Sequence, residues 1–429
     1  MRSPDGAKRM HTATPLAGRR VVIVVENLPV PFDRRVWLEA RTLAAAGADV
    51  AVVCPRGEGY AAPFELRENV RIYRHPAPPE GKGALGYLRE YGLALLHEAR
   101  LLLRLYLTRG FDVIHLCNPP DLLFLVALPF RWLGCRVVFD HHDISPELYE
   151  AKFGRRGLLW RVLLMCERAT FNVAHIVLAT NESYRQIAME RGGKSSDEIF
   201  VVRSGPMTDE LKPVAPRPGF KKGRRHLVAY VGVMGEQEGI DLLLEAMHFL
   251  VFVCRRDDVH LALAGTGARR ADLEALARDL GLTDRVDFLG RVPDESLFAL
   301  LSTADVCVNP DRVNRMNDLS TMNKIMEYMA FGKPIVQFDV REGRVSAGAA
   351  ALYARPNDAT DFARCILDLL DDEPRRSAMG AEGRRRVVEN LSWPTQAPRL
   401  LAAYEQVFAK RRRLRRRPLR SKAEPVSRT

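Results

Sequence analysis

The chain has 429 residues, of which 47% are hydrophobic and 28% are charged, a composition that is ordinary for a globular protein. It is too long for one hydrophobic core and suits two domains of roughly 150–200 residues each. No apolar run reaches the ~18 residues that a membrane-spanning helix needs. The seven cysteines are scattered and form no Cys-x-x-Cys pair. We therefore expect free thiols in a reducing cytoplasm, with no disulfide framework and no cysteine metal site.

The net charge of +12 is concentrated near one end of the sequence. Residues 410–422 hold nine basic residues and no acidic one, which leaves +3 for the rest of the chain. A disordered tail over 411–429 with this composition is typical of a segment that binds membrane headgroups or nucleic acid. A solvated end without a partner is the alternative. Residues 1–18 lack an apolar core segment, so we expect a flexible leader and not a secretory signal.

The first half of the chain alternates apolar runs with helical patterns, which predicts a parallel α/β sheet. The apolar segment that starts at Leu93 and ends at Thr108 also carries Arg100 and Arg104. It suits either a membrane-surface helix or an ordinary covering helix. Strands are predicted at residues 19–26, 49–54, 113–117, 136–140, 175–179 and 198–202, and helices at 34–47, 93–108, 118–133 and 158–172.

Two loops at strand ends of this half carry charged side chains. The first holds Asp33, Arg34 and Arg35 beside a predicted helix start, and adjacent arginines can bind a phosphate in a bidentate manner. An interdomain salt bridge or a helix cap is the alternative. The second loop ends in His142 and Asp143, which suit acid–base work or the orientation of a sugar. A packed histidine is the alternative there, and no supporting third ligand favours a metal.

Residues 203–226, rich in proline, glycine and charge, are predicted to be a linker, after which the α/β alternation restarts. Two successive parallel sheets imply a cleft, and ligands of such sheets bind at the carboxyl ends of the strands. Strands are predicted at 227–231, 260–264, 286–289, 306–309 and 334–339, and helices at 240–251, 269–280, 294–302, 320–331, 360–370, 374–390 and 393–411.

Glycine-bearing turns follow three successive strands of the second half. Gly232 and Gly235 follow the first strand, Gly265 and Gly267 the second, and Gly290 the third. Glycine lets a ligand approach the backbone closely, so three such turns on neighbouring strands would line one crevice. The turns match neither the Walker A loop nor the G-x-G-x-x-G fingerprint.

The most informative segment lies near residue 320. Ser320 and Thr321 are predicted to cap a helix whose free N–H groups and positive dipole end favour a phosphate. Lys324 adds a positive charge in the first turn, and Glu327 offers an acceptor for sugar hydroxyls. An anion beside a polyol is what a nucleotide sugar presents. An ordinary capped surface helix is the alternative.

Residues 20–405 resemble the family-4 retaining glycosyltransferases of the GT-B fold. The resemblance is carried by VVIVVENLPVPFDRRVWLEARTLAAAGADVAVVCP, FDHHDISPELYE, AGTGARRADLEALARDLGLTDRVDFLGRVP and STMNKIMEYMAFGKPIV, which look most like members that assemble capsule, exopolysaccharide or O-antigen repeat units. It implies an α/β fold with two Rossmann-like domains facing across a cleft. The implied parts are an acceptor-binding domain at 19–202, the linker at 203–226, a nucleotide-sugar-binding domain at 227–391 and a helix at 392–410 that crosses back to the first domain.

The resemblance also marks departures from the family pattern. Glu327 matches the second glutamate of a donor-binding Glu-x7-Glu pair, which in the family holds the nucleotide ribose, whereas Leu319 stands in place of the first. Val233 and Glu238 occupy the positions of the arginine and lysine that grip the diphosphate in the family. Asp318 or its neighbour Asn317 would then reach the donor sugar.

The implied catalytic residues are His142 and Asp143, near the reacting sugar, and Lys324, which would take over the diphosphate with the helix start. Asp33, Arg34 and Arg35 form the expected acceptor or phosphate loop. The expected donor-binding residues are Gly232, Gly235, Arg203, Gly265, Gly267, Arg291, Val292, Asp318, Ser320, Thr321, Asn323 and Glu327. No metal and no cofactor are expected, because cationic side chains and the helix dipole would stabilise the leaving group.

The expected activity is transfer of a sugar, with retention, from a nucleoside-diphosphate sugar to a lipid-linked glycan acceptor in cell-surface polysaccharide synthesis. The apolar segment ending at Thr108 and the basic residues 410–422 would hold a cytoplasmic enzyme on the anionic inner face of the plasma membrane. The alternatives are a non-hydrolysing nucleotide-sugar 2-epimerase and a degenerate, non-catalytic GT-B partner. Specific nucleic-acid binding is not expected, because no aromatic-basic interleaving or reading helix is present.

Overall fold

The structure is a computed structural model that describes residues 14–79 and 83–415 of the chain. These residues form two successive α/β domains, the first built on an 8-stranded sheet and the second on a 6-stranded sheet. The first thirteen residues of the predicted leader and residues 416–429 of the predicted tail lie outside the described part.

The first sheet contains strands β1 (Arg20–Val25), β2 (Asp49–Pro55), β3 (Phe64–Arg67), β4 (Val70–His75), β5 (Val113–Cys117), β6 (Arg136–His141), β7 (Ile176–Ala179) and β8 (Ile199–Val201). Their order is β3-β4-β2-β1-β5-β6-β7-β8, and only the edge pair of β3 and β4 is antiparallel. The helices of this domain are α1 (Arg34–Ala45), α2 (Gly83–Thr108), α3 (Phe124–Trp132), α4 (Ser145–Phe153), α5 (Leu158–Val173) and α6 (Glu182–Glu190).

Helices cover both faces of this sheet, which explains why its central strands are continuous apolar runs. Val21 and Ile23 of β1 belong to the core on the α1 side. Val22 and Val24 belong to the core on the other side, with side chains of α2, α3 and α5. Because all neighbours of β1 are parallel, the loops after β1, β5 and β6 meet at one edge of the sheet.

The second sheet contains strands β9 (His226–Val231), β10 (Val259–Ala264), β11 (Val286–Gly290), β12 (Val306–Asn309), β13 (Ile335–Phe338) and β14 (Ala351–Ala354). It is parallel, in the order β11-β10-β9-β12-β13-β14. The helices are α7 (Ile240–His248), α8 (Arg270–Asp279), α9 (Asp294–Thr303), α10 (Arg315–Leu319), α11 (Asn323–Ala330), α12 (Arg341–Ala347), α13 (Ala359–Asp371), α14 (Glu373–Arg386) and α15 (Trp393–Arg415).

The last helix, α15, crosses back to the first domain, as predicted. Trp393 at its start donates from Nε1 to Thr42 Oγ1 at 2.9 Å, and the Tyr404 hydroxyl lies 2.9 Å from His115 Nδ1. The helix continues to Arg415, so the first residues of the predicted disordered tail are helical. Within the described ranges we find no helix whose length and hydrophobicity would let it span a bilayer.

The predicted leader and the predicted linker both contact the domains where the structure describes them. Leu16, placed in the predicted leader, is only 1% exposed because it joins the core on the α1 side. In the predicted linker, the backbone N–H of Val214 donates to Ser302 Oγ at 2.9 Å, which fastens the segment to α9. Buried apolar contacts and side-chain acceptors thus extend order beyond the predicted domain boundaries.

Candidate active site

The glycine turns of the second domain meet at the carboxyl ends of β9, β10 and β11, as the sequence predicted. The backbone N–H of Gly265 donates to the carbonyl of Gly290 at 2.8 Å. A Cβ atom on Gly265 would lie 1.8 Å from the carbonyl oxygen of Gly232, and one on Gly267 would lie 2.5 Å from the carbonyl oxygen of Met234. These glycines are therefore required because neighbouring turns pack backbone to backbone, a more direct reason than ligand approach.

Helix α11 begins beside these turns, and no side chain caps its start. Its N-cap residue is Met322, with Asn323 exposed at the first helical position. A helix end without a capping side chain keeps donors for an anion, which the positive end of the dipole also favours. The start of α11 therefore lacks the predicted caps, and anion binding there stays a prediction.

Ser320 and Thr321, the predicted caps, instead contact the first domain. Ser320 Oγ lies 3.0 Å from the Tyr184 hydroxyl and donates to the Met316 carbonyl at 2.8 Å. Thr321 Oγ1 accepts from Asn181 Nδ2 at 2.9 Å. Their hydroxyls are engaged before α11 begins, so the capping prediction was wrong.

Lys324 lies in the first turn of α11 and is buried in a polar pocket. Its Nζ is 2.9 Å from Asp311 Oδ1 and 4.9 Å from the centre of the Tyr230 ring. Burial works against its charge, but Asp311 raises the pKa of Lys324 above its ordinary value. Burial raises the pKa of Glu238, which stands where the resemblance expects a lysine. Lys324 is therefore a charged cation in a site that also holds two carboxyl groups.

Glu327 lies on the same helix and contacts the first domain across the cleft. Arg34 Nη1 is 3.2 Å from Glu327 Oε1, and Arg34 Nη2 is 3.3 Å from Asp294 Oδ1. Burial raises the pKa of Glu327, an effect that Arg34 opposes. Arg291 adds a second cross-domain contact, with its guanidinium 4.4 Å from the centre of the Phe32 ring. Arg34 thus forms the interdomain salt bridge that was the alternative to a phosphate contact.

Arg35 is buried and does not line the cleft, so its assignment to a phosphate loop was wrong. Its guanidinium donates to both oxygens of Asp140, from Nε at 2.7 Å and from Nη2 at 2.5 Å. It also donates to the Val202 carbonyl at 2.9 Å. Asp33 is the N-cap of α1, where its Oδ1 accepts from the Val36 backbone at 3.0 Å. Both residues hold the loop in place.

His142 lies at the end of β6 with its ring held on one side. Its Nδ1 is 2.9 Å from Asp140 Oδ2, and the ring is 16% exposed. Burial alone would lower the pKa of His142, but Asp140 overrides it and raises the pKa to about 8. The ring is therefore an imidazolium at neutral pH that donates from Nδ1 to Asp140 and keeps its Nε2–H for another acceptor.

Two residues that the predicted site did not include organise this strand end. Asn118 Oδ1 accepts from the backbone N–H groups of His142 and Asp143 at 3.0 and 3.2 Å. Burial raises the pKa of Asp143. Asp140 carries the charge that holds the His142 ring. Directly after β1, burial together with Glu90 raises the pKa of Glu26 to about 7. For Asn118 and Glu26 the available signal was a polar residue directly after an apolar strand, and Asp140 is the polar residue near the end of β6.

Two residues predicted to contact the donor sugar hold loops of the second domain together. Asn317 Nδ2 donates to the carbonyls of Gln237 and Arg312 at 3.0 and 2.8 Å. Asp318 Oδ1 accepts from the backbone N–H of Arg341, the first residue of α12, at 2.8 Å. The hydrogen bonds of Asn317 and Asp318 stabilise the fold, so these residue types are explained without a ligand contact.

Arg203 also has an internal partner. Its Nη2 lies 3.7 Å from Glu342 Oε2, while Ser183 Oγ donates to the other oxygen of Glu342 at 2.7 Å. Burial lowers the pKa of Arg203. Val292 packs against the core beside α11. Arg203 therefore joins the two domains at the cleft rim, and Lys324 is the predicted diphosphate cation that remains beside the helix start.

A set of four buried side chains, Glu39, His115, Cys117 and Asp140, brings potential metal ligands within 4.8 Å of one another. The positive charge there is supplied by Arg35, which lies 3.2 Å from Glu39 Oε1 and pairs with Asp140. Burial raises the pKa of Glu39 to about 8, so this carboxyl is largely protonated at neutral pH. The cluster is therefore an internal polar network that supports His142.

Comparisons with known proteins agree with this architecture. The profile of the family described as "Glycosyl transferase 4-like domain" matches residues 33–205, and that described as "Glycosyl transferases group 1" matches residues 225–372. The MMP alpha-(1->4)-mannosyltransferase of Mycolicibacterium hassiacum is 27% identical over 314 residues, which cover 70% of this chain and 72% of that protein. The 2-deoxystreptamine glucosyltransferase of Streptomyces kanamyceticus is 26% identical over 87% of this chain and 98% of its own length.

Solved structures share the fold at low sequence identity. Sucrose-phosphate synthase from Thermosynechococcus elongatus has a TM-score of 0.73 at 21% identity and covers 91% of this chain and 100% of its own. HepE from Anabaena, solved with UDP and glucose, has a TM-score of 0.69 at 15% identity and covers 90% of this chain and 98% of its own. The two facing sheets and the matched domains define a glycosyltransferase of the GT-B fold, as predicted. More particularly, this chain joins an N-terminal domain of the glycosyltransferase-4 type to a C-terminal domain of glycosyltransferase group 1.

Proposed function

We propose that the enzyme transfers a sugar from a nucleoside-diphosphate sugar to an acceptor hydroxyl, with retention at the anomeric carbon. The observation that carries the proposal is the start of α11, which has no side-chain cap, holds Lys324 in its first turn and bears Glu327 one turn later. This places donors for an anion next to an acceptor for hydroxyl groups, at the carboxyl edge of the second sheet and facing the first domain.

In the proposed reaction, the bond between the anomeric carbon and the diphosphate oxygen breaks. The acceptor oxygen forms its bond to the same face of that carbon, and the acceptor proton passes to the departing phosphate oxygen. Lys324 and the N–H groups of α11 stabilise the negative charge that develops on the diphosphate. Glu327 accepts hydrogen bonds from the nucleotide ribose, exchanging its contact with Arg34 for them. His142 donates from Nε2 to a hydroxyl of the donor sugar.

The acceptor in this proposal is a lipid-linked glycan, and the pathway is the synthesis of a cell-surface polysaccharide such as a capsule or O-antigen. Helix α2 supports this placement, because Leu103 and Leu107 are 53% and 74% exposed next to the exposed Arg100 and Arg104. An exposed face of apolar and basic residues suits the surface of an anionic bilayer. The basic residues beyond Arg415 would add to it. Removal of residues 416–429 should weaken sedimentation with anionic vesicles. Equal sedimentation with and without these residues would show that they do not contribute to membrane binding.

The donor assignment is tested with a thermal-shift panel of UDP, GDP, dTDP and ADP and their sugars. One base should stabilise the enzyme selectively. A Lys324→Met/Asp311→Asn double variant removes the cation without leaving a buried carboxylate unpaired, and it should lose most of that shift. Transfer activity should fall about 10²–10³-fold, as for loss of one fixed donor to a developing charge. Lys333→Met, which changes a lysine just after the other end of α11, is the matched control.

A wild-type enzyme that no diphosphate stabilises, or a double variant that keeps the full shift, would overturn this assignment. Conversion of the donor to its 2-epimer, as a nucleotide sugar and without any acceptor, would instead identify a nucleotide-sugar 2-epimerase. The relatives act on substrates as different as 2-deoxystreptamine and D-inositol 3-phosphate, by their names. The acceptor is therefore best sought with lipid-linked and soluble glycans in the same assay.

A further inference from the structure

Residues 152–165 comprise the end of α4, the connection to α5 and the first half of α5, and we name this segment the α4–α5 ridge. None of its side chains is buried. On α5, Leu158, Val162 and Met165 are 80%, 37% and 64% exposed. Their spacing of four and three residues places them on one helical face, whereas Glu167 and Phe171, on the opposite face, are fully buried. The apolar stripe of α5 therefore points outward and is not the stripe that packs on the sheet.

The last residue of α4 and the first turn of α5 add further exposed apolar surface to the same segment. Phe153 and Leu159 are 52% and 54% exposed. The Phe153 ring contacts the Tyr149 ring, with 4.7 Å between their centres, and Lys152 Nζ lies 5.6 Å from the Phe153 ring centre. Exposed apolar residues scattered singly are normal, but several on one segment mark an interaction surface.

The charge of the ridge identifies the kind of partner. Residues 151–166 contain Lys152, Arg155, Arg156 and Arg161 and no acidic residue. Arg156 is paired with Glu150 at 2.9 Å and covers the Trp160 ring at 5.2 Å, while Arg155 and Arg161 are exposed. Long basic side chains around a convex apolar stripe match the anionic headgroups and upper acyl region of a bilayer, into which such a helix inserts by about 5–10 Å.

The ridge also lies close to the cleft along the chain. Helix α4 begins two residues after Asp143, and Glu147 in its first turn faces Arg315 of the second domain at 3.6 Å. The nine residues of α4 span roughly 13 Å, so its far end, where the ridge begins, is within reach of an acceptor that extends from a membrane to His142.

We propose that the α4–α5 ridge is a docking surface for an anionic lipid bilayer. This inference rests on the proposed function, because a lipid-linked acceptor gives the surface its purpose. The apolar stripe would supply insertion, and the arginines would supply attraction to acidic headgroups, each worth about fivefold in affinity. Docking here would hold the first domain against the lipid surface.

The test is sedimentation of the full chain with vesicles of phosphatidylcholine alone or with phosphatidylglycerol. The wild type should bind the anionic vesicles preferentially. A Leu158→Ser/Val162→Ser/Met165→Ser variant should bind at least about tenfold more weakly, and Arg155→Glu/Arg161→Glu should lose about 25-fold or more at low salt. Val253→Ser/Val388→Ser, which changes two exposed apolar residues outside the ridge, should bind like the wild type. Unchanged circular dichroism and melting temperature confirm folding, since all these side chains are exposed.

Vesicle binding by both ridge variants at the wild-type level would overturn the proposal. So would a wild type that dimerises through the ridge and ignores vesicles, which would identify a second copy as the partner. The thermal shift with nucleoside diphosphates separates this inference from the proposed function, because ridge variants should keep it. An enzyme that binds vesicles through the ridge but no diphosphate would retain the docking surface and lose the transferase proposal.

Discussion

The buried carboxylate of Asp140 offers the sharpest test of how His142 is held. Asp140 is fully buried and accepts two hydrogen bonds from Arg35 and one from His142. An Asp140→Asn substitution preserves its shape but removes its charge, which leaves the buried Arg35 guanidinium with Glu39, largely protonated in the wild type, as its nearest acid. Breaking a buried ion pair in this way costs about 3–5 kcal/mol of unfolding free energy.

The same substitution should change the protonation of His142. Asp140 raises the pKa of His142 from 6.5 to about 8, a difference worth about 2 kcal/mol. Without that charge, burial and the Arg35 guanidinium both lower the pKa of His142, which should fall below 6.5, so the Nε2–H donor should be lost at neutral pH in part of the molecules. Relative to the wild type, transfer activity should then fall between the lowered pKa of the variant and pH 8.

Urea unfolding gives the free-energy change, and an NMR titration of the imidazole protons gives the pKa. The matched control is Asp121→Asn, another fully buried carboxyl. Burial raises the pKa of Asp121 to about 6, so its charged form is costly and an amide should be tolerated with little loss of stability. An Asp140→Asn enzyme with wild-type stability and a His142 pKa near 8 would refute this account of the site.

Three further outcomes are expected. Between pH 6.5 and 8 the unfolding free energy should decrease, because the folded-state pKa of His142 lies above its unfolded value. The stabilisation from His142 is complete below pH 6.5 and is lost as the pH rises through 8. Glu39 acts in the same direction, and urea unfolding across this range measures the combined effect. Gly265→Ala should prevent stable folding, since its Cβ would lie 1.8 Å from a backbone oxygen, whereas Gly219→Ala meets no atom within 4 Å and should melt like the wild type. Arg34→Ala should change stability by less than ~1 kcal/mol, because the ion pairs are partly exposed, and should alter nucleotide affinity measured by calorimetry.

Each of these outcomes has a contrary result. If the unfolding free energy rises from pH 6.5 to 8, a group other than His142 and Glu39 determines the pH dependence. A Gly265→Ala protein that melts normally would show that the neighbouring turns can separate. For Arg34, the matched control is Arg385→Ala, which removes an exposed arginine of α14 paired with Glu382 at 2.9 Å. Equal nucleotide affinity of both arginine variants would separate Arg34 from the donor site.

Much of the fold could be predicted because parallel strands buried on both faces leave long apolar runs in the sequence. The β3–β4 edge was not predicted, because the exposed strand FELR has no such run. Short helices such as α10 and α12 were also missed, since a few turns of partly polar sequence carry no clear period.

The candidate site was predicted by position better than by role. Arg34 and Arg35 are adjacent, yet one crosses the cleft to Glu327 and the other enters the core to meet Asp140. Successive helical side chains point about 100° apart, and nothing local shows which one faces the cleft. The partner of Arg35 lies 105 residues away in the chain. Roles fixed by such distant partners are visible only once the chain is folded.

The segment before α11 is fastened to the opposite domain, and this has a thermodynamic consequence. Asn181 donates to the Leu319 carbonyl at 2.9 Å as well as to Thr321, immediately ahead of the helix that would meet the diphosphate. Separation of the domains must break these bonds or shift the helix start. Donor affinity and the equilibrium between open and closed domains are therefore reciprocally coupled. A change that favours the closed arrangement raises the affinity for the nucleotide, and the nucleotide favours closure by the same factor.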